Sequence, residues 1–131
     1  MFKNTEFEMM VYVGTVPATS DKVWNDRSVI AWPSAADAEV ELGTLLEGCV
    51  VQQANVHVLA TVTGATQLDV GDSVDADGYV AEAALNADSA GAGAYLAGAG
   101  KRLVAEQKPL LTIAGTASAG LIAVVLKGYR V

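Results

Sequence analysis

The stretch from Val51 to Thr63 reads VQQANVHVLATVT. Ala54, Val56, Val58, Ala60 and Val62 fall on one face; Gln53, Asn55, His57, Leu59, Thr61 and Thr63 fall on the other. Period-two alternation of this length, rich in Val and Thr, predicts a half-buried antiparallel strand. Its polar face meets water or a partner. His57 lies there as a solvated or interface residue.

Working outward, the C-terminal part holds two more apolar runs, Pro109 to Ala114 (PLLTIA) and Leu121 to Val131 (LIAVVLKGYRV). Between them lies Gly115-Thr116-Ala117-Ser118-Ala119-Gly120, a small-residue stretch that predicts a hairpin turn. In the second run Ile122, Val124 and Leu126 share one face, and Leu121, Ala123, Val125, Lys127 and Tyr129 share the other. Phe7 to Val13 and Ser28 to Trp32 have strand composition. Asp37 to Leu42 alternates Ala38, Val40 and Leu42 against Asp37, Glu39 and Glu41. A helix capped by Ser34 competes for this segment, but the carboxylate spacing favours a strand, followed by a turn through Gly43 to Gly48. Gln67 to Val70 and Tyr79 to Leu85 read as further short strands. Asn86 to Gly100 reads as a long Ala- and Gly-rich loop, interrupted by a short strand at Ala94 to Leu96.

Short strands, frequent turns and no convincing long helix give one all-β domain. It is expected to be an antiparallel β-sandwich with jelly-roll or Greek-key topology. A length of 131 residues suits a single core. A formal net charge of −7 argues against a nucleic-acid partner, because phosphate contacts need clustered Lys and Arg. The N-terminus lacks the apolar run of a secretory signal. No apolar stretch is long enough to predict a membrane span. The single Cys49 cannot form an intrachain disulfide and sits among Gly48, Val50 and Val51, as a small buried hydrophobe would.

One His and one Cys make a thin catalytic inventory, and no catalytic, metal or cofactor site is predicted. The acidic stretch from Asp69 through Asp72 and Asp75 to Asp77 could in principle offer oxygen ligands to calcium. The spacing misses an EF-hand, since Val80 stands at the twelfth position. The preferred reading is a turn in which Asp side chains cap backbone amides. Trp24 and Trp32 are expected to anchor the core or a subunit interface. With Tyr95 they are also the candidates for stacking on a glycan, although no concentrated aromatic loop accompanies them.

Three segments together resemble small virion proteins of tailed phages. Leu42 to Val51 (LGTLLEGCVV) feeds an alternating strand as their L-x-x-G-x-V-V turn does. Leu68 to Val80 (LDVGDSVDADGYV) is similar to their (F/L)-x-(I/V)-G-D-S-x-D-x-D-(G/A)-(F/Y)-V segment. Leu110 to Val125 looks like their terminal L-T-x-x-G-x-x-T/S-A-G-x-I-x-V-x-V hairpin. The resemblance covers roughly residues 37–131 and rests on structural rather than catalytic motifs. It implies a jelly-roll capsid decoration (cement) protein that is not an enzyme. Its partners would be the major capsid protein and itself, as a homotrimer, and its location the capsid surface. A head fibre or receptor-binding tip that recognises host glycan is the alternative it implies. Residues 1–34 lie outside the resemblance and are expected to form an N-terminal arm or extra strands that could dock on the shell. Residues 35–131 would form the sandwich. The polar-faced residues Gln53, Asn55, His57, Thr61 and Thr63 are candidates for partly wet interfaces, and the loop Gly91 to Gly100 for a surface ordered on binding.

Overall fold

A computed structural model describes residues 5–15, 28–83, 89–90 and 102–131. Six strands run in the order β1 (Thr5–Gly14), β2 (Val29–Ile30), β3 (Glu39–Glu41), β4 (Cys49–Gly71), β5 (Ser89–Ala90) and β6 (Leu110–Arg130). The protein is all-β, as its alternating patterns predict. The sheet order is β2-β1-β6-β4-β5, with β3 also paired to β6. This order establishes the all-β class and not a jelly-roll topology in particular. Every described strand pair is antiparallel except β1–β2, where Tyr12 and Val13 pair in parallel with Val29 and Ile30. The connection from Gly14 to Val29 is long enough for the crossover that a parallel pair requires.

The expected C-terminal hairpin is not there. Leu110 to Arg130 is one continuous 21-residue strand. Likewise, Gln67 to Val70 is the far end of the 23-residue β4 rather than a strand of its own. The two long strands pair from Cys49–Arg130 to Gly71–Leu110, with one register shift between Val51 and Gln53 and a cluster of them between Val58 and Gln67. Gly64, Gly115 and Gly120 sit in this irregular region with φ of 91°, 86° and 113°. These values lie where only glycine is unstrained, so the small-residue stretch makes a bend in a ribbon instead of a reversal of the chain. At Gly64 a Cβ would collide with the Thr116 carbonyl oxygen, and at Gly120 it would come within 2.6 Å of the Val62 Cα.

The bend folds the ribbon over on itself. Leu42 N donates to Pro109 O at one end of β6 (2.8 Å), and Val131 N donates to Gly48 O at the other (3.0 Å). Residues 42 to 48 reach at most about 20 Å, whereas a straight 21-residue strand would run about 70 Å. Both halves of β6 therefore close on one core. Leu111 and Ile113 from the first half join Ile122, Val124 and Leu126 from the second, with Val51, Val56, Leu68, Val70 and Tyr79. This is sandwich packing made by folding one sheet.

β1, within residues 1–34, lies between β2 and β6. It pairs with β6 over ten residues and buries Val13 in the core. Segment 39–41 is a strand and not a helix, with Val40 buried between exposed Glu39 and Glu41. Asp37 lies outside it with φ of 54°. Its Oδ1 accepts from Gly115 N (2.8 Å), and its own N donates to Gly115 O (2.9 Å). Trp32 Nε1 donates to Gly120 O (2.9 Å) while its ring packs against the core. Two residues ahead of β3 thus hold the two glycines that flank the bend.

Residues 79–83 do not form the expected strand. Val80 makes a single bridge to Val70, and Glu82 takes φ of 52°, which breaks extension. Cys49 is buried and unpaired with another cysteine, as a small core hydrophobe would be. Trp24, Tyr95, the loop Gly91 to Gly100 and the strand expected at Ala94 to Leu96 lie outside the described residues. Among the described residues no helix is long and apolar enough to cross a membrane.

Candidate functional site

The centre of the sheet is apolar on both faces. Leu121 to Leu126 is an unbroken run of buried side chains. Ile122, Val124 and Leu126 point into the core; Leu121, Ala123 and Val125 are equally buried but stand outside the core cluster, on the other face. Register fixes their neighbours. Tyr12, Ala123 and His57 form one row across β1, β6 and β4, and Met10, Val125 and Asn55 form the next. Glu8, Lys127 and Gln53 form the third.

These rows make an open groove of about 290 Å³. Ala123 and Val125 form its floor, and Met10, Tyr12, His57 and Leu59 its walls. Met10 is 50% exposed and Leu59 48%. The Tyr12 hydroxyl lies 3.2 Å from Met10 Sδ. At one end Lys127 Nζ lies 3.7 Å from Glu8 Oε2, with both side chains about half exposed. Such a pair contributes at most about 1 kcal/mol and is screened by salt. Beyond it a polar hollow continues past Gln53, Glu6 and Tyr129. An apolar centre with a mixed polar rim is the layout of a protein–protein contact.

The polar-face residues read from the sequence divide between places. Asn55 and His57 flank the groove, and Gln53 lies at its polar end. Thr61 and Thr63 are exposed at the bend, where Thr63 Oγ1 is 3.4 Å from Ser118 Oγ. The sequence reading missed Met10, Tyr12, Leu59, Ala123 and Val125 as a surface. The signal for them was the six-residue apolar run, since a strand buried on both faces needs side-chain cover on its second face.

The acidic stretch is a turn, tied to a distant segment where Ser73 Oγ donates to Gln107 Oε1 (3.1 Å). Asp72 is 1% exposed and sits inside the turn. Its Oδ1 accepts from Val74 N (2.9 Å) and Asp75 N (3.1 Å), and its Oδ2 accepts from the Tyr79 hydroxyl (2.9 Å). Asp69 accepts from Glu82 N (2.7 Å) and Gln67 Nε2 (2.8 Å). Each carboxylate thus caps backbone amides with one oxygen and accepts from a side chain, Tyr79 or Gln67, with the other. At the exposed tip, hydrogen bonding to Asp75 and its nearby negative charge raise the Asp77 carboxyl above its ordinary range. Trp32, through its Gly120 contact and core packing, serves the fold rather than an exposed stacking platform.

No protein-family model and no curated protein sequence matches this chain. Among solved structures, a chain of the cyanophage Pam1 capsid asymmetric unit is similar over 100% of this chain and 89% of its own length. Its TM-score is 0.62 at 15% identity. At that identity the likeness establishes a shared fold.

Proposed function

We propose that this chain is a virion structural protein of a phage head, a non-enzymatic decoration protein that binds the outside of the shell and stabilises contacts between major capsid subunits. The observation that carries the reading is the whole-chain match to a chain of a capsid asymmetric unit. That chain is little longer than this one, so the likeness is to a small component of a head. The motifs of the Leu42–Val51, Leu68–Val80 and Leu110–Val125 segments point the same way. Their roles in the fold are those of a rigid scaffold: a bent two-strand ribbon, a buried Asp–Tyr clasp, and closure by short backbone bridges.

A cement protein acts by adding contact area at several places at once, so avidity replaces chemistry. The apolar groove and the acidic outer strand face of Glu39 and Glu41 offer two surfaces of different character for such contacts. Self-association as a trimer would match the three-fold positions of an icosahedral shell. The test is to add purified protein to heads that lack it and then heat them. Bound protein and a raised disruption temperature support the proposal; heads that stay bare and unchanged contradict it.

A further inference from the structure

We propose that Met10 is a site of reversible oxidation to the sulfoxide, and that the Tyr12 hydroxyl selects which of the two sulfoxide epimers forms. Met10 stands on a wall of the groove and is 50% exposed. Its strand neighbour Met9 faces the other way. Met9 packs against the core, with its Sδ and Cε beside Gly43. Oxidation of a sulfur follows its exposure, so an oxidant in solution reaches Met10 ahead of Met9.

The contact at Met10 adds a direction to the chemistry. The Tyr12 hydroxyl, on the same strand face, donates to Met10 Sδ at 3.2 Å. A thioether sulfur is a weak acceptor with two lone pairs. Tyr12 engages one of them, which leaves the other for an incoming oxidant. With hydrogen peroxide, the open pair attacks one peroxide oxygen: an S–O bond forms and the O–O bond breaks. The sulfur-bound OH then gives its proton to the departing hydroxide, which leaves as water. Sulfur is oxidised by two electrons and the peroxide is reduced by two. The two lone pairs are stereochemically distinct, so attack through one of them yields one epimer. The product sets a polar, chiral group on the apolar wall beside Val125.

The proposal goes beyond the virion reading and does not rest on it: the test uses the free chain, and heads that stay bare leave it standing. The protein is treated with dilute hydrogen peroxide, digested, and mapped by tandem mass spectrometry, which separates oxidation at Met9 from oxidation at Met10. The peptide oxidised at Met10 is then treated with methionine sulfoxide reductase A or B, each specific for one epimer, with dithiothreitol as reductant. Met10 is expected to oxidise several-fold faster than Met9. One epimer is expected in about threefold excess or more, the ratio that a weak hydrogen bond supplies. In Tyr12→Phe, shown to be folded by circular dichroism, the epimers should approach equal parts. Wild type oxidised in urea needs no folded variant and should lose both preferences. Equal oxidation of Met9 and Met10 in the folded chain, equal epimers in the folded wild type, or an epimer excess that survives Tyr12→Phe or urea, overturns the proposal.

Discussion

The Tyr79 hydroxyl donates to Asp72 Oδ2 at 2.9 Å, and both residues are buried. This contact ties the far side of the acidic turn to its start, beside the end of β4. The same carboxylate caps two backbone amides, so three donors converge on one buried group. Tyr79→Phe removes one of them from a buried carboxyl group. The expected cost is about 1–3 kcal/mol. Urea unfolding measures it, with Val74→Ala at the exposed part of the turn as a control expected to change stability by less than about 0.5 kcal/mol.

The bend between the two halves of the ribbon depends on glycine. Gly64→Ala and Gly120→Ala each force a side chain into positive φ and into the opposing backbone. Each is expected to lose about 1–3 kcal/mol from backbone strain alone, with the collision adding to that. Thermal melts of both variants, against Ala119→Ser on the exposed strand surface, check this.

Asp37 and Trp32 hold the glycines from outside. Asp37→Ala removes the acceptor for Gly115 N, and Trp32→Phe removes the donor to Gly120 O while keeping an aromatic ring. Each change is expected to cost about 1 kcal/mol. Amide hydrogen exchange at Gly115 should speed up in Asp37→Ala more than exchange at core positions such as Val124.

The raised Asp77 carboxyl gives a pH dependence of known sign. Its folded value lies above the ordinary 3.8 because of Asp75, so the native state holds this proton more readily than the unfolded chain. The contribution to stability therefore falls as pH rises from 3.8 through the raised value. Asp77→Asn removes the repulsion. The variant should be slightly more stable than wild type at pH 7, with the difference vanishing below pH 3.8. Unfolding midpoints at pH 3, 5 and 7 read this out. A variant less stable at pH 7 than wild type would contradict the assignment.

What could be read from the sequence follows from the range of each physical cause. Alternation from Ala54 to Val56 gave the correct inward face because the pairing there is regular. The pattern fails at Ala60, which is exposed, because register shifts around Val58 to Thr63 turn the strand. The bend at Gly115 to Gly120 read as a hairpin because both features demand the same backbone freedom. The choice between them is made by Thr63 and Ala65, some fifty residues earlier in the chain, which pair with Ala119 and Gly115. Asn55 and His57 were visible as a polar face. The groove they border was not, since Met10 and Leu59 become neighbours of Val125 and Ala123 only through the sheet.

The central claim is tested most directly by measuring whether the protein is present on purified virions, and in what number relative to the major capsid protein. Quantitative mass spectrometry of gradient-purified particles gives that ratio. A decoration protein should appear at a fixed stoichiometry, in many copies per head, and be depleted when stripped heads are repurified. Absence from clean particles, or only a few copies per particle as for a tail tip, would contradict the account.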